Sequence, residues 1–390
     1  MIRFDTQQNW PRRAAWLLAA PALVWFAGSG CTGSFSAAVG PNQDLTLVTD
    51  FPVGDDRTAL VRELFGHKIE TPLRPEARFR VEPTDSSGFE TRRDWRNFVI
   101  LSDFAEPTWG TRTVRRIFGD ERVDAILTGA GHGAGHEAGH EAGLQAGYLL
   151  TQDVWADGQT VLFIHAPSKA SVRALIEREG EAIVERYEDH VIDGLTKTMF
   201  LGGEQTAMVD GIERALGYRL RIPEDYVVEW QAENRFLRIK TMEANGAMLW
   251  LFVYFQEQTQ ESLDPNLAMG LRDKLTERYY GGDQIDASRS EVRRRTFAGH
   301  EALEVFGLYQ NLEPPMGGLF KLIAFHEGGR LYLIDMAVFN PPGDKIPLLR
   351  KLEAIARTLE HTGEVTGEPV REPVREPVQE PVREPVGGTS

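Results

Sequence analysis

The second half of the chain is written in short runs of alternating or continuous apolar residues. Segments 218–222, 227–231, 236–242, 247–255, 292–297, 300–309, 319–327 and 330–339 read as β-strands, rich in Val, Ile, Leu, Phe, Tyr and Trp. Connections such as Glu327-Gly328-Gly329 are short enough for hairpins, so the sheet is expected to be largely antiparallel, with helices packed on one face. A helical apolar period marks 206–217, which ends on Gly217, then 265–279 and a closing helix from Lys345. The first half holds an amphipathic helix at 58–66, ended by Gly66, and an apolar strand at 95–101.

These patterns echo one another. A helix-then-glycine unit opens each half, and the interval from Gly66 to Gly217 is close to that from Pro75 to Pro223. Later in each half a turn glycine (Gly158, Gly329) leads into an apolar strand, a proline-bearing loop and a helix carrying Glu-Ala-Ile, at Glu181 and again at Glu353. The expectation is an α+β fold of two related halves, with largely antiparallel sheets and packed helices. Its expected divisions are a signal peptide at 1–30 and a flexible linker at 31–43. The first half follows at 44–200, with a low-complexity Gly/His insertion at 129–147, and then the second half at 201–360. A disordered tail at 361–390 is expected because Glu-Pro-Val-Arg repeats forbid helix and ladder and leave only Val to bury.

Composition narrows function chiefly by exclusion. With 390 residues, 42% of them hydrophobic, the chain can bury one large core or two modest ones. Its formal net charge of -15 disfavours polyanions, since nucleic-acid affinity rests on Lys and Arg. Arg293-Arg294-Arg295 is the one compact basic cluster and reads as a solvated strand end or loop. The N-terminus says more. Arg12 and Arg13 precede a short apolar run at 14–28, interrupted by Pro21, and small residues lead to Cys31. That is the layout of a secretory signal peptide, too short to span a membrane. Cys31 is the only cysteine in the chain and stands where a bacterial lipobox places the acylated residue. Gly28 departs from the aliphatic residue usual there, and a conventional cut near Ser36-Ala37-Ala38 is the alternative. Thr32, in place of the Asp that retains lipoproteins at the inner membrane, points to an outer-membrane anchor facing the periplasm.

One stretch advertises chemistry. His136-Glu137-Ala138-Gly139-His140 spells the zinc-protease helix motif H-E-x-x-H. Yet it lies in a tandem period of four, Ala-Gly-His-Glu, that generates the motif by iteration. Its interior glycines each cost about 1 kcal/mol of helix propensity, and Ala146 stands where the extended motif needs its third ligand. The expectation is no metal site, with weak capture by His132, His136 and His140 as the alternative. There is no nucleophile elbow, P-loop or strand-linked dinucleotide fingerprint, hence no expected cofactor. Ser168-Lys169 reads as a helix start, Asp153 and Asp157 around Trp155 as a solvated strand edge, and Met316-Gly317-Gly318 as a tight turn or bulge.

Several blocks in fixed order resemble a family of uncharacterised bacterial envelope lipoproteins, domain of unknown function 4837. They are Asp153-Val154-Trp155-Ala156 with Gln159, Gly217 with Ile222-Pro223-Glu224-Asp225-Tyr226, Met316-Gly317-Gly318 with Phe320, 340–345 (Asn-Pro-Pro-Gly-Asp-Lys) and 350–355 (Arg-Lys-Leu-Glu-Ala-Ile). The resemblance implies lipidation at Cys31 and export, and it implies no reaction. The expected protein is noncatalytic, anchored to the membrane through lipid, and engaged with an unidentified envelope protein or ligand. A zinc peptidase using His136, Glu137 and His140 is the disfavoured alternative.

Overall fold

The computed structural model describes residues 35–52, 54–128, 146–258, 262–312 and 315–363; Cys31, the His-rich tract and the Glu-Pro-Val-Arg repeat lie outside them. The chain is α+β, and each half builds its own sheet.

The first half runs β1 (Asp44–Thr49), α1 (Asp56–Phe65), β2 (Lys68–Ile69), β3 (Glu76–Ala77), β4 (Arg80–Thr84), α2 (Ser86–Glu90) and β5 (Asn97–Ser102). It continues through α3 (Trp109–Phe118), α4 (Asp120–Thr128), β6 (Gly147–Gln152), β7 (Thr160–His165) and the long α5 (Lys169–Met199). Five strands pair in the order β4-β1-β5-β7-β6, and only β6 runs antiparallel to its neighbour. Strands alternating with helices demand crossovers, so this sheet is mostly parallel and covered on both faces. Val99 and Leu101 point to α1 and α5, while Phe98 and Ile100 point to the side of α2, α3 and α4. Each such side chain contributes about 1.5–3 kcal/mol on leaving water.

The second half comprises α6 (Thr206–Leu216), β8 (Tyr218–Arg219), β9 (Val227–Gln231), β10 (Phe236–Met242), β11 (Met248–Glu257), α7 (Pro265–Tyr280) and β12 (Gln284–Phe297). After these come β13 (His300–Leu312), β14 (Pro315–Glu327), β15 (Arg330–Phe339), α8 (Ile346–Ala356) and β16 (Glu360–His361). Seven strands form a wholly antiparallel sheet, β12-β13-β14-β15-β11-β10-β9, as the hairpin spacing requires. Helices α6 and α8 cover one face, and α7 covers the other rather than joining them. The buried Arg272 of α7 reaches Asp335 of β15, Nε to Oδ1 at 2.9 Å, which holds α7 in place.

Several expectations change. The echo between halves extends to local units, not to the sheets they feed: β7 has a parallel neighbour, whereas both neighbours of β15 are antiparallel. Gly217 ends its helix in the left-handed region at φ +73, while Gly66 ends α1 at φ -85. Residues 35–43 are not a free linker. The amide of Ala38 donates to Asp157 O at 2.8 Å, and Gln43 is buried beside Ala77. At the other end His361 lies in β16 and bonds to the Tyr332 hydroxyl, so the folded body runs past residue 360. The stretch 129–147 is trimmed as well, because Ala146 is buried and Gly147 begins β6. Met316-Gly317-Gly318 is paired strand, not a turn. A Cβ on Gly318 would sit 2.0 Å from Val338 O and 2.7 Å from the Tyr309 ring, so glycine lets Tyr309 cross β14.

Candidate functional site

Two places could hold a ligand. One is the crevice where β1 and β5 end, because the chain leaves these neighbouring parallel strands in opposite directions, the usual ligand position in doubly wound sheets. Here the protein fills it. Asp50 Oδ2 accepts from Ser102 Oγ at 2.7 Å and from the Gly110 amide at the start of α3 at 2.9 Å. Ser102 Oγ is also 2.7 Å from Thr108 Oγ1, the cap of α3. The helix N-terminus that would receive an anion already holds a carboxylate of its own chain. Nearby His165 is buried, which lowers its pKa although the Asp103 carboxylate opposes the shift. In its neutral form its Nδ1 accepts from the Phe104 amide at 3.0 Å.

The other place is a cleft of about 750 Å³ along the seam between the halves. Helix α5 presents acids at 181, 185, 188, 189 and 193, positions that share one face of a helix. Facing them are Arg293 and Arg295 of β12, Arg350 and Glu353 of α8, and Arg357 just beyond. Glu188 is gripped by Arg350, Nη2 to Oε1 at 2.7 Å, with Arg78 Nε at 3.4 Å. Glu304 of β13 takes Arg293 Nε and Arg295 Nη1, each at 2.7 Å. Glu353 takes Lys321 of β14 and Arg357. Arg295 also reaches Asp189 at 2.8 Å, and Arg293 reaches Glu185. The hairpin β2–β3 arches from the first half onto the second. There Glu76 accepts from the Lys345 amide at 2.6 Å and from Lys345 Nζ at 3.0 Å, which caps the start of α8 across the seam.

These charges are fixed in their ionised forms. Burial alone would raise Glu188, but the guanidiniums of Arg350 and Arg78 outweigh it and hold the carboxyl down at about 2. Glu304 and Glu353 are likewise lowered: burial pushes both up, and Lys321 leads the cations that pull them down. Burial would lower Arg295, yet Glu353 and Glu304 drive it up. Such groups make poor general acids or bases at neutral pH, where a useful pKa lies near 7. What the cleft offers is fixed charge beside an apolar wall of Ile69, Phe306, Ile346 and Leu349.

The residues singled out from sequence scatter. Cys31, His132, His136, Glu137 and His140 lie outside the described residues. Ser168 caps α5 and Lys169 pairs with Asp56, a helix start as expected. Asp153 accepts from the Gly158 amide and pairs with Lys197, so it closes a tight loop; Trp155 packs on Phe89. Among the described residues no group of three His, Cys, Asp or Glu is placed to hold a metal ion. Arg295 is largely buried and Arg293 half-exposed, and both are built into the seam; Arg294, between them, faces water and pairs with Glu301. The seam carboxylates were missed, although a signal existed. Glu304 in Leu303-Glu304-Val305 and Lys321 in Phe320-Lys321-Leu322 put lone charges in apolar strands, which burial permits only with partners.

Residues 205–358 match the family model for a domain of unknown function, DUF4837, and residues 38–200 match that for a second, DUF8532. The first-half block from Asp153 to Gln159 thus falls in the second family's match. No curated protein sequence matches the chain. Cyanobacterial PsbP (CyanoP) from Synechocystis sp. PCC 6803 is similar at 13% identity and TM-score 0.26, over 37% of this chain and 86% of that one. LpqN, involved in cell envelope biogenesis of Mycobacterium tuberculosis, shows 14% identity and TM-score 0.23, over 37% and 83%. A Bacteroides thetaiotaomicron VPI-5482 protein shows 11% and 0.25, over 38% and 47%. At these scores none of the three bears on fold or role.

Proposed function

Residues 205–358 belong to the DUF4837 family, and from that premise we propose that the chain is an exported, lipid-anchored envelope protein, held at the outer membrane by Cys31. Its body is a noncatalytic binding scaffold, and the seam cleft is the binding surface. The observation that carries the anchor is the packing just after it. Asp157 donates to Ser36 O at 3.0 Å, Ala38 donates to Asp157 O, and Val39 donates to Asp94 O at 2.9 Å. A signal peptidase cutting near Ser36-Ala37-Ala38 would remove these ladder bonds from the first half. Cleavage before Cys31 keeps them and frees the amine of the residue to be acylated. Among the described residues no helix is long and apolar enough to cross a membrane. The noncatalytic reading is supported by the cleft carboxylates, whose cation partners hold them ionised.

Labelled palmitate fed to producing cells tests the anchor. Label should enter the intact chain, and Cys31→Ser should lose both label and membrane association. A Cys31→Ser protein that stays labelled and membrane-bound overturns the reading.

A further inference from the structure

We propose that the seam cleft binds a ligand carrying a carboxylate or phosphate on an apolar body, and that Glu181 and Glu185 are built-in competitors for that anion. This deepens the binding reading given above and rests on it.

The argument begins with an asymmetry of exposure. Arg78, lining the cleft, has a side chain only 11% exposed, and its Nη1 bonds Glu181 Oε1 at 2.9 Å, but the Glu181 side chain is 67% exposed. Arg78 Nε is buried and makes no hydrogen bond, its nearest recorded carboxylate oxygen being that of Glu188 at 3.4 Å. Arg293, half-exposed at the mouth of the cleft, pairs inward with the fully buried Glu304 and outward with the comparably exposed Glu185. An exposed glutamate gives up such a pair at little cost, because water resolvates it. The buried guanidinium of Arg78, left behind by Glu181, keeps its demand for an anion.

The charge count then decides the sign. With Glu181 and Glu185 turned to solvent, the inner network holds Arg78, Arg350, Arg293, Arg295, Lys321 and Arg357. Against these six cations stand five carboxylates, Glu188, Glu304, Glu353, Asp189 and Asp193. The excess is positive and sits in a low-dielectric seam. Rim charges do not reverse it: Lys68, Glu70 and Glu291 are exposed and screened, and Arg289 is paired with Asp286. A guanidinium fork suits carboxylate and phosphate oxygens better than other anions. The same cleft presents Ile69, Phe306, Ile346 and Leu349, so the anion should be one end of an apolar molecule.

Calorimetry on the full mature chain tests this, using dodecyl phosphate below its aggregation concentration, inorganic phosphate, and dodecyltrimethylammonium. Dodecyl phosphate should bind one site, inorganic phosphate far more weakly and the cation not at all. Glu181→Gln with Glu185→Gln, the first exposed and the second half-exposed, should tighten dodecyl phosphate by about fivefold, the scale of one surface ion pair. Arg78→Gln should weaken it by at least about tenfold, as loss of a charge-assisted bond does. Unchanged affinity in the double glutamate variant overturns the proposal. Equal binding of the cation overturns the anion class while leaving a binding cleft in place. Capture by phosphatidylglycerol vesicles without binding of the monomer would put the contact on a surface and overturn the cleft site.

Discussion

The strand-end crevice of the first half and the seam cleft are both polar, and both lie where a ligand could enter, yet they are finished differently. In the crevice Asp50, Ser102 and Thr108 satisfy one another and the start of α3, and Gly110 is pressed so close that no Cβ fits. In the seam, far more charge is brought together, and about 750 Å³ stays open beside it. The usual position of a site in a doubly wound sheet therefore does not locate one here. What decides is whether neighbouring side chains consume the donors that a ligand would need.

Breaking the seam should have the largest effect. Glu353→Ala strips Lys321, Arg357 and Arg295 of a shared buried carboxylate and should cost about 3–5 kcal/mol by denaturant unfolding. Acid should do the same reversibly. Glu188 sits at about 2 in the fold against 4.5 ordinarily, so its contribution is fully present above about pH 4.5 and is lost as pH falls toward 2. That loss should approach about 3 kcal/mol. Glu304 and Glu353 are shifted in the same direction and add to it. Hydrogen exchange at low pH should loosen α8 and β12 early, and Glu188→Gln should flatten the acid limb of the stability curve. The crevice should respond less. Gly110→Ala places a Cβ 2.6 Å from Asp50 Oδ2 and 2.7 Å from Ser102 Cβ, an overpacking worth about 1–3 kcal/mol. Because that strain is local, cleft binding of dodecyl phosphate should stay unchanged in this variant. If Gly110→Ala cost more than Glu353→Ala, the ranking of the two regions would be wrong.

Much of the second half was legible because antiparallel hairpins are local. Turn glycines such as Gly328 and Gly329, both at positive φ, stand between apolar runs whose period fixes the strands, and the strand at 330–339 has the expected bounds. The parallel sheet was not legible. Its partners are distant in sequence, and buried parallel strands such as β5 and β7 show no alternation to reveal their neighbours. The seam was half legible. Residues 350–355 stood out through their family resemblance, and Arg350 and Glu353 prove to be its hinge of charge. Arg293 and Arg295 misled, since a basic triplet looks solvated until its acids arrive from a helix about a hundred residues away.

By itself the sequence determined what local physics can write: which segments of the second half are strands and helices, and the turns between them. Only the tertiary structure decided which charges are buried together. The worth of an ion pair depends on the dielectric and on the partner's distance, and neither exists until α5 of one half lies against β12 and α8 of the other.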